Sequence, residues 1–238
     1  MTSHQIVNPA DHGDLRITVE ARSDLGDGAM SCLAVPAEFR RLAAEYPILF
    51  YFDGEQRKFS AIALFGFEPG ENLFLADGEW QATCRPLAMA VQPFLVGRPR
   101  DDGSPSQVHV DMNHPRISDS GEGVRVFDDA GQPTPYLEEI ANQLAALDEE
   151  YRASGEFFAT LDRYELLEPF SMDVTLDDGA MHRLVGYHLI NEDKLQALES
   201  GVLTELHAAG YLQMIYMALA SLGNLAKLVR MKNRRGNV

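Results

Sequence analysis

The hydrophobic positions between Tyr46 and Trp80 fall into three short runs, at residues 48–52, 59–67 and 73–75. Asp53-Gly54 separates the first two, and Glu68-Pro69-Gly70 the next two. Apolar runs of this length bounded by Gly and Pro predict short strands joined by tight connections. This meander is expected at the centre of the core.

Upstream, residues 1–30 are polar and rich in Gly and Asp, with one alternating piece at 15–19 that predicts a short edge strand. In 34–45, Phe39, Leu42 and Ala43 have helical spacing, with Pro36 suited to a first helical position and Pro47 ending the helix. Downstream, 86–91 predicts one helical turn, 97–106 (GRPRDDGSPS) a loop, and 108–111 and 124–127 two further short strands.

From Thr134 the periodicity changes. Thr134-Pro135 is a helix start, and Leu137, Ile140, Leu144, Leu147 and Tyr151 fall on one face. A second helix is expected over 156–167, stopping at Pro169. Residues 170–176 alternate cleanly, Asp177-Asp178-Gly179 turns them, and 181–190 return. Asn191 then caps a helix that ends at Gly201, and a short one follows to Gly210. The last helix, about 211–231, steps Leu212, Ile215, Leu219, Leu222, Ala226 and Val229 by threes and fours. Gln213, Ser221, Asn224 and Lys227 interrupt it, and no run of eighteen apolar residues exists. It is therefore expected as a buried core helix rather than a membrane span.

These elements predict an α+β fold, with an antiparallel strand-rich N-terminal part packed with a helix-rich C-terminal part around one core. The expected organisation is an extended segment at 1–30, one domain at 31–232 and a basic tail at 233–238. At 238 residues with 45% hydrophobic positions, the chain can bury a core without disulfides or metals. Two cysteines make no disulfide framework, and the first residues lack the apolar stretch of a signal peptide. The expected setting is cytoplasmic.

The formal net charge of −16 argues against nucleic acid as a partner, since phosphate binding needs a basic face. The acid is unevenly spread. Nothing acidic follows Glu205, while Lys227, Arg230, Lys232, Arg234 and Arg235 do. That tail reads as a solvated helix end, or as a segment that docks on an acidic partner or anionic lipid.

The order of motifs resembles the SapC family of bacterial proteins. The pieces that carry the likeness are Tyr46-Pro47-Ile48-Leu49-Phe50, residues 61–72 (AIALFGFEPGEN) with Trp80 after them, and residues 111–118 (DMNHPRIS). Val126-Phe127-Asp128, residues 184–193, 206–211 and 219–228 with its Ser221-Leu222-Gly223-Asn224-Leu225 complete it. The likeness spans about 30–232. It implies a soluble accessory or binding protein associated with a bacterial envelope, surface-layer or nutrient (peptide) uptake system. It implies no catalytic residues.

The sharpest chemical candidate is His109-Val110-Asp111. A His-x-Asp pair on one strand points both side chains the same way, as the facial triad of a non-haem Fe(II)/2-oxoglutarate-type oxygenase requires. The third ligand would be His188 or His182, which lie about 20 Å apart on one strand, so at most one joins. The plain reading is that Asp111 opens a turn and pairs with Arg116. In His114-Pro115-Arg116, the guanidinium can bind a carboxylate or phosphate, or staple a loop. Glu71 and Asn72 belong to a turn that is either a staple or a ligand-facing loop with Trp80 as an aromatic wall.

Two functions from different classes follow. One is a binding protein without a cofactor, whose partner is a protein or peptide and which forms a possible homodimer through its last helix. The other is an iron enzyme built on His109 and Asp111.

Overall fold

A computed structural model describes residues 3–97 and 106–236. The expected loop at 97–106 lies almost wholly outside the described residues, as do the last two residues of the basic tail. The strands are β1 (His4–Ile6), β2 (Arg16–Ile17), β3 (Ser31–Ala34), β4 (Ile48–Asp53), β5 (Lys58–Leu64), β6 (Leu75–Ala76), β7 (Glu79–Trp80), β8 (Phe94–Gly97), β9 (Gln107–Asp111), β10 (Val124–Arg125), β11 (Leu167–Thr175) and β12 (Met181–Ile190). The helices are α1 (Pro9–His12), α2 (Phe39–Leu42), α3 (Leu87–Ala90), α4 (Pro135–Arg163), α5 (Glu192–Gln196), α6 (Ser200–Ala208), α7 (Tyr211–Ser221) and α8 (Asn224–Gly236). The sheets are antiparallel and the C-terminal part is helix-rich, so the class is α+β.

By backbone contacts the chain forms two compact units. The first comprises Met1–Gly28, Leu75–Trp80 and Leu87–Glu149, and the second Ala29–Phe74, Gln81–Pro86 and Glu150–Val238. Helix α4 runs without a break through Gly155, where two helices were expected. A glycine inside a helix costs only about 1 kcal/mol, and Leu137, Ile140 and Leu144 before it and Phe157, Phe158 and Leu161 after it are all buried.

The first unit is built from short pieces. Strands β1, β9 and β8 form one sheet in that order, β10 pairs β2, and β6 pairs β7. Its core gathers Leu15, Ile17, Val91, Phe94, Val110, Val126, Phe127, Leu137, Ile140 and Leu144. The N-terminal residues expected as an extended segment thus supply β1, α1 and β2. The alternating piece at 15–19 becomes only the two-residue β2, with Leu15 and Ile17 turned inward. Pro135 opens α4 as expected, while the Thr134 hydroxyl donates to the Arg125 and Val126 carbonyls.

The second unit holds a five-stranded sheet in the order β11-β12-β4-β5-β3. The expected β4–β5 hairpin is present, in register from Ile48↔Ala63 to Asp53↔Lys58. The third run of the meander does not join it. Leu73 and Phe74 are buried outside strands, and Leu75 starts the separate β6–β7 hairpin. The place beside β5 goes instead to β3, and the place beside β4 to β12. Strand β11 begins at Leu167, where helix was expected, and so includes Pro169. It has one neighbour among the described strands, an edge position that tolerates a missing N–H.

Aromatic rings fill the interior of this unit. Phe39 meets Phe50 and Phe157 edge-on at 6.4 and 6.1 Å, and Tyr46 meets Phe74 and Phe65 at 4.7 and 5.3 Å. The last helices differ from expectation. Residues 211–235 are long and apolar enough to cross a membrane by length and composition, but only 22% of the most apolar window is buried. They are not a core helix. A turn at Leu222-Gly223 divides them. Helix α7 packs on β4 and β12, and Ile215, Ala218 and Leu228 are buried while Tyr216 stays exposed. The Ser221 hydroxyl accepts from the Ile48 amide at 2.9 Å, fixing α7 to the start of β4.

Candidate functional site

Arg116, offered above as a ligand for a carboxylate or phosphate, is already engaged inside the first unit. Its side chain is 2% exposed. Nη2 contacts the fully buried Asp27 carboxylate at 2.5 Å, and Nη1 donates to the carbonyls of Thr18 and Glu20 at 2.7 and 3.0 Å. Asp27 also accepts from the Arg22 amide. The backbone around Arg116 is tied the same way: Thr18 N donates to Arg116 O, and Ser118 N to Arg16 O. The segment 111–118 is therefore stitched to 16–27 by one guanidinium together with these backbone bonds. Its carboxylate partner is Asp27, not Asp111.

His114 lies in the same cluster. Its Nδ1 accepts from the Arg116 amide at 3.2 Å. Burial, with the nearby Arg116 charge, lowers its pKa from 6.5. Gly26 makes room for the ring. With φ at +93°, a Cβ there would stand 3.0 Å from His114 Cε1.

His109 and Asp111 do flank the buried Val110 on β9, as a His-x-Asp pair should. Their side chains are otherwise occupied. The Asp111 carboxylate accepts from the Ser3 and Asn113 amides, each at 3.1 Å, and so opens a turn. The His109 ring lies over Gly97, where a Cβ would meet Nε2 at 1.9 Å. Gly97 pairs with Gln107, the end of β9 away from Asp111. His188 lies on β12 in the second unit, its ring edge against Phe59 at 5.1 Å and its Nδ1 buried without a hydrogen bond. His182 contacts the Glu68 carboxylate at 3.2 Å. Among the described residues no three His, Cys, Asp or Glu side chains gather as a metal would need. The triad therefore lacks its third member among the described residues. Burial raises the pKa of both cysteine thiols, which holds them in the unreactive protonated form.

Glu71 and Asn72 form a staple in the second unit. Glu71 Oε2 accepts from the Phe67 amide at 2.9 Å, and the buried Asn72 Oδ1 accepts from the Phe74 amide at 2.9 Å. The basic end of the chain closes over this loop. Lys232 Nζ reaches Glu71 at 2.5 Å and Glu68 at 3.0 Å, and Arg235 donates to the carbonyls of Asn72 and Leu73. Further up α8, Lys227 pairs with Glu45 and Asn224 Nδ2 donates to the Ala43 and Tyr46 carbonyls. Four of the residues on α8 thus bind their own chain. The hydrogen bond from Lys232 holds the Glu68 carboxyl below its usual range. Burial pushes the Glu45 carboxyl up, and hydrogen bonds from Lys227 and Thr83 more than reverse it. Trp80, expected as a wall beside this loop, belongs to the first unit, where it pairs with Leu75.

One concave site was not foreseen. In the first unit a cavity of about 400 Å³ opens between the end of β1, the start of β9 and the first turns of α4. Ile6, Val7, Pro9, Val108, Phe127, Pro133, Leu137 and Ala141 give it apolar walls. Asn8, Gln107 and Glu138 are its polar members, and Glu138 is the one charged residue among the described residues that line it. Asn8 is committed to capping α1 through the amides of Ala10 and Asp11. Small Ala141 stands one turn after Leu137 on the α4 wall. Its lining comes from four separated segments, so only the folded backbone brings it together.

The family model described as SapC matches residues 7–228. The chain belongs to the SapC family. That match spans both compact units, including the Arg116–Asp27 staple, the α8 clamp up to Leu228 and every residue that lines the cavity except Ile6. No curated protein and no solved structure matches this SapC chain.

Proposed function

We propose that this SapC protein is a soluble accessory binding protein that holds a small apolar ligand, or the apolar side chain of a peptide, in the cavity of its first unit. The observation that carries this reading is the cavity itself. A preformed apolar concavity of a few hundred Å³ with a small number of polar groups is the usual form of a ligand site. The residues first considered for ligand contact, Glu71, Asn72 and Arg116, are engaged by their own chain. Family membership supports a cytoplasmic role on behalf of an envelope, surface-layer or nutrient-uptake system, with a protein or peptide as the partner at that level.

The test is direct binding of an uncharged probe, phenylbutanol, followed by calorimetry. The reading expects saturable binding at one site, lost in Ala141→Phe, which places a ring in the cavity from its half-buried α4 wall. Absence of saturable binding, or binding unchanged in Ala141→Phe, would remove the cavity from the account.

A further inference from the structure

We infer that the cavity selects a ligand with an apolar body and a cationic head, such as an arylalkyl amine. This rests on the cavity reading above and names its ligand class. The walls set the body. Eight of the eleven described lining residues are apolar, and Phe127 and Leu137 among them are 3% and 6% exposed. A polar or branched-polar ligand would leave donors and acceptors unmet against those walls.

The head is set by charge. Among the described residues that line the cavity, Glu138 is the ionisable one, and no Lys, Arg or His stands with it there. Glu138 is exposed, and its carboxylate has no ion-pair or hydrogen-bond partner among the described residues. Its neighbour Glu139, by contrast, is bonded to Gln143. An apolar body seated against Leu137 and Ala141 places its polar end beside a free carboxylate on the same helix. The net charge of −16 adds a long-range field that draws cations and repels anions. A carboxylate-bearing ligand of the same shape meets like charge at that position.

The experiment compares three probes of one body: phenylbutylamine, phenylbutanol and phenylbutyrate, titrated into the full chain at pH 7 and low salt. The amine is expected to bind most tightly, by about threefold to fivefold over the alcohol, as a partly exposed ion pair allows, and the carboxylate least. The amine's advantage is expected to shrink as salt rises and to vanish in Glu138→Gln, with the alcohol unchanged in that variant. If the alcohol binds but the amine binds no better, the ligand class is wrong while the cavity stands. If the amine's advantage survives Glu138→Gln, Glu138 is not its partner. If none of the three binds, the cavity reading itself falls.

Discussion

The first and second compact units close their interiors by different means. In the first, strands run two to five residues, too short for ladder hydrogen bonds to hold the segments in place. One buried guanidinium does much of that joining, reaching a carboxylate and two carbonyls from separate parts of the chain. In the second, β11 and β12 run nine and ten residues and a set of edge-on aromatic rings fills the core. There the ion pairs lie at the periphery, where α8 clamps the Glu68–Asn72 loop. The difference shows where a cavity is tolerated. A unit pinned by a few strong polar ties keeps room between its short pieces, whereas in the second unit long strands and edge-on aromatic rings fill the interior.

Cutting the tie of the first unit gives the largest expected effect. Asp27→Ala leaves Arg116 buried without its carboxylate, and the loss of stability should be about 3–5 kcal/mol. Denaturant unfolding followed by a probe in the first unit measures it. A loss of less than about 1 kcal/mol would mean the pair is not what holds that unit.

In the second unit, Ser221→Ala removes the acceptor of the buried Ile48 amide. The expected cost is about 1–3 kcal/mol, with faster hydrogen exchange at Ile48. Unchanged exchange there would show that α7 is held to β4 by apolar contact alone.

The clamp is weaker. Lys232→Gln should cost about 1 kcal/mol, and less at high salt, because Glu68 is half exposed. Its pH dependence has a definite sign. The Glu68 and Glu45 carboxyls are held below 4.5 in the folded state, so their contribution is present above that pH and is lost as acid titrates them. Lys232 is shifted upward: burial opposes its charge, and the bonds to Glu71 and Glu68 outweigh burial. Its share is complete below 10.5 and is lost only as pH rises beyond that value.

The smallest effect separates the units by pH. His114 has a lowered folded pKa, so the unfolded chain binds its proton first and stability falls as pH drops below 6.5. His188 shifts the same way through burial, so the first unit's share is the slope removed by His114→Gln. A histidine titration by NMR with the His114 midpoint at or above 6.5 would contradict the buried cluster.

The hairpins were legible because their signals are local. Asp53-Gly54 between apolar runs marks β4–β5, and clean alternation around Asp177-Asp178-Gly179 marks β11–β12, where Gly179 takes φ +85°. Strand β3 was not legible. Ser31-Cys32-Leu33-Ala34 shows no alternation and is a strand because β5 pairs with it. The continuity of α4 was hidden by Gly155, whose helix is held by buried residues on both sides. Arg116 was legible as a carboxylate binder, but its partner lies 89 residues away in a segment with several acids. The cavity left no trace at all, since Ile6, Val108, Phe127 and Ala141 come from separate stretches of chain.

The most direct test of the cavity is a methyl NMR titration of the full chain with phenylbutanol. The account predicts saturable shifts at Ile6, Val7, Val108, Leu137 and Ala141, with Ile48, Leu64 and Ala218 of the second unit unmoved. Shifts that fail to saturate, or that centre on the second unit's methyls, would contradict it.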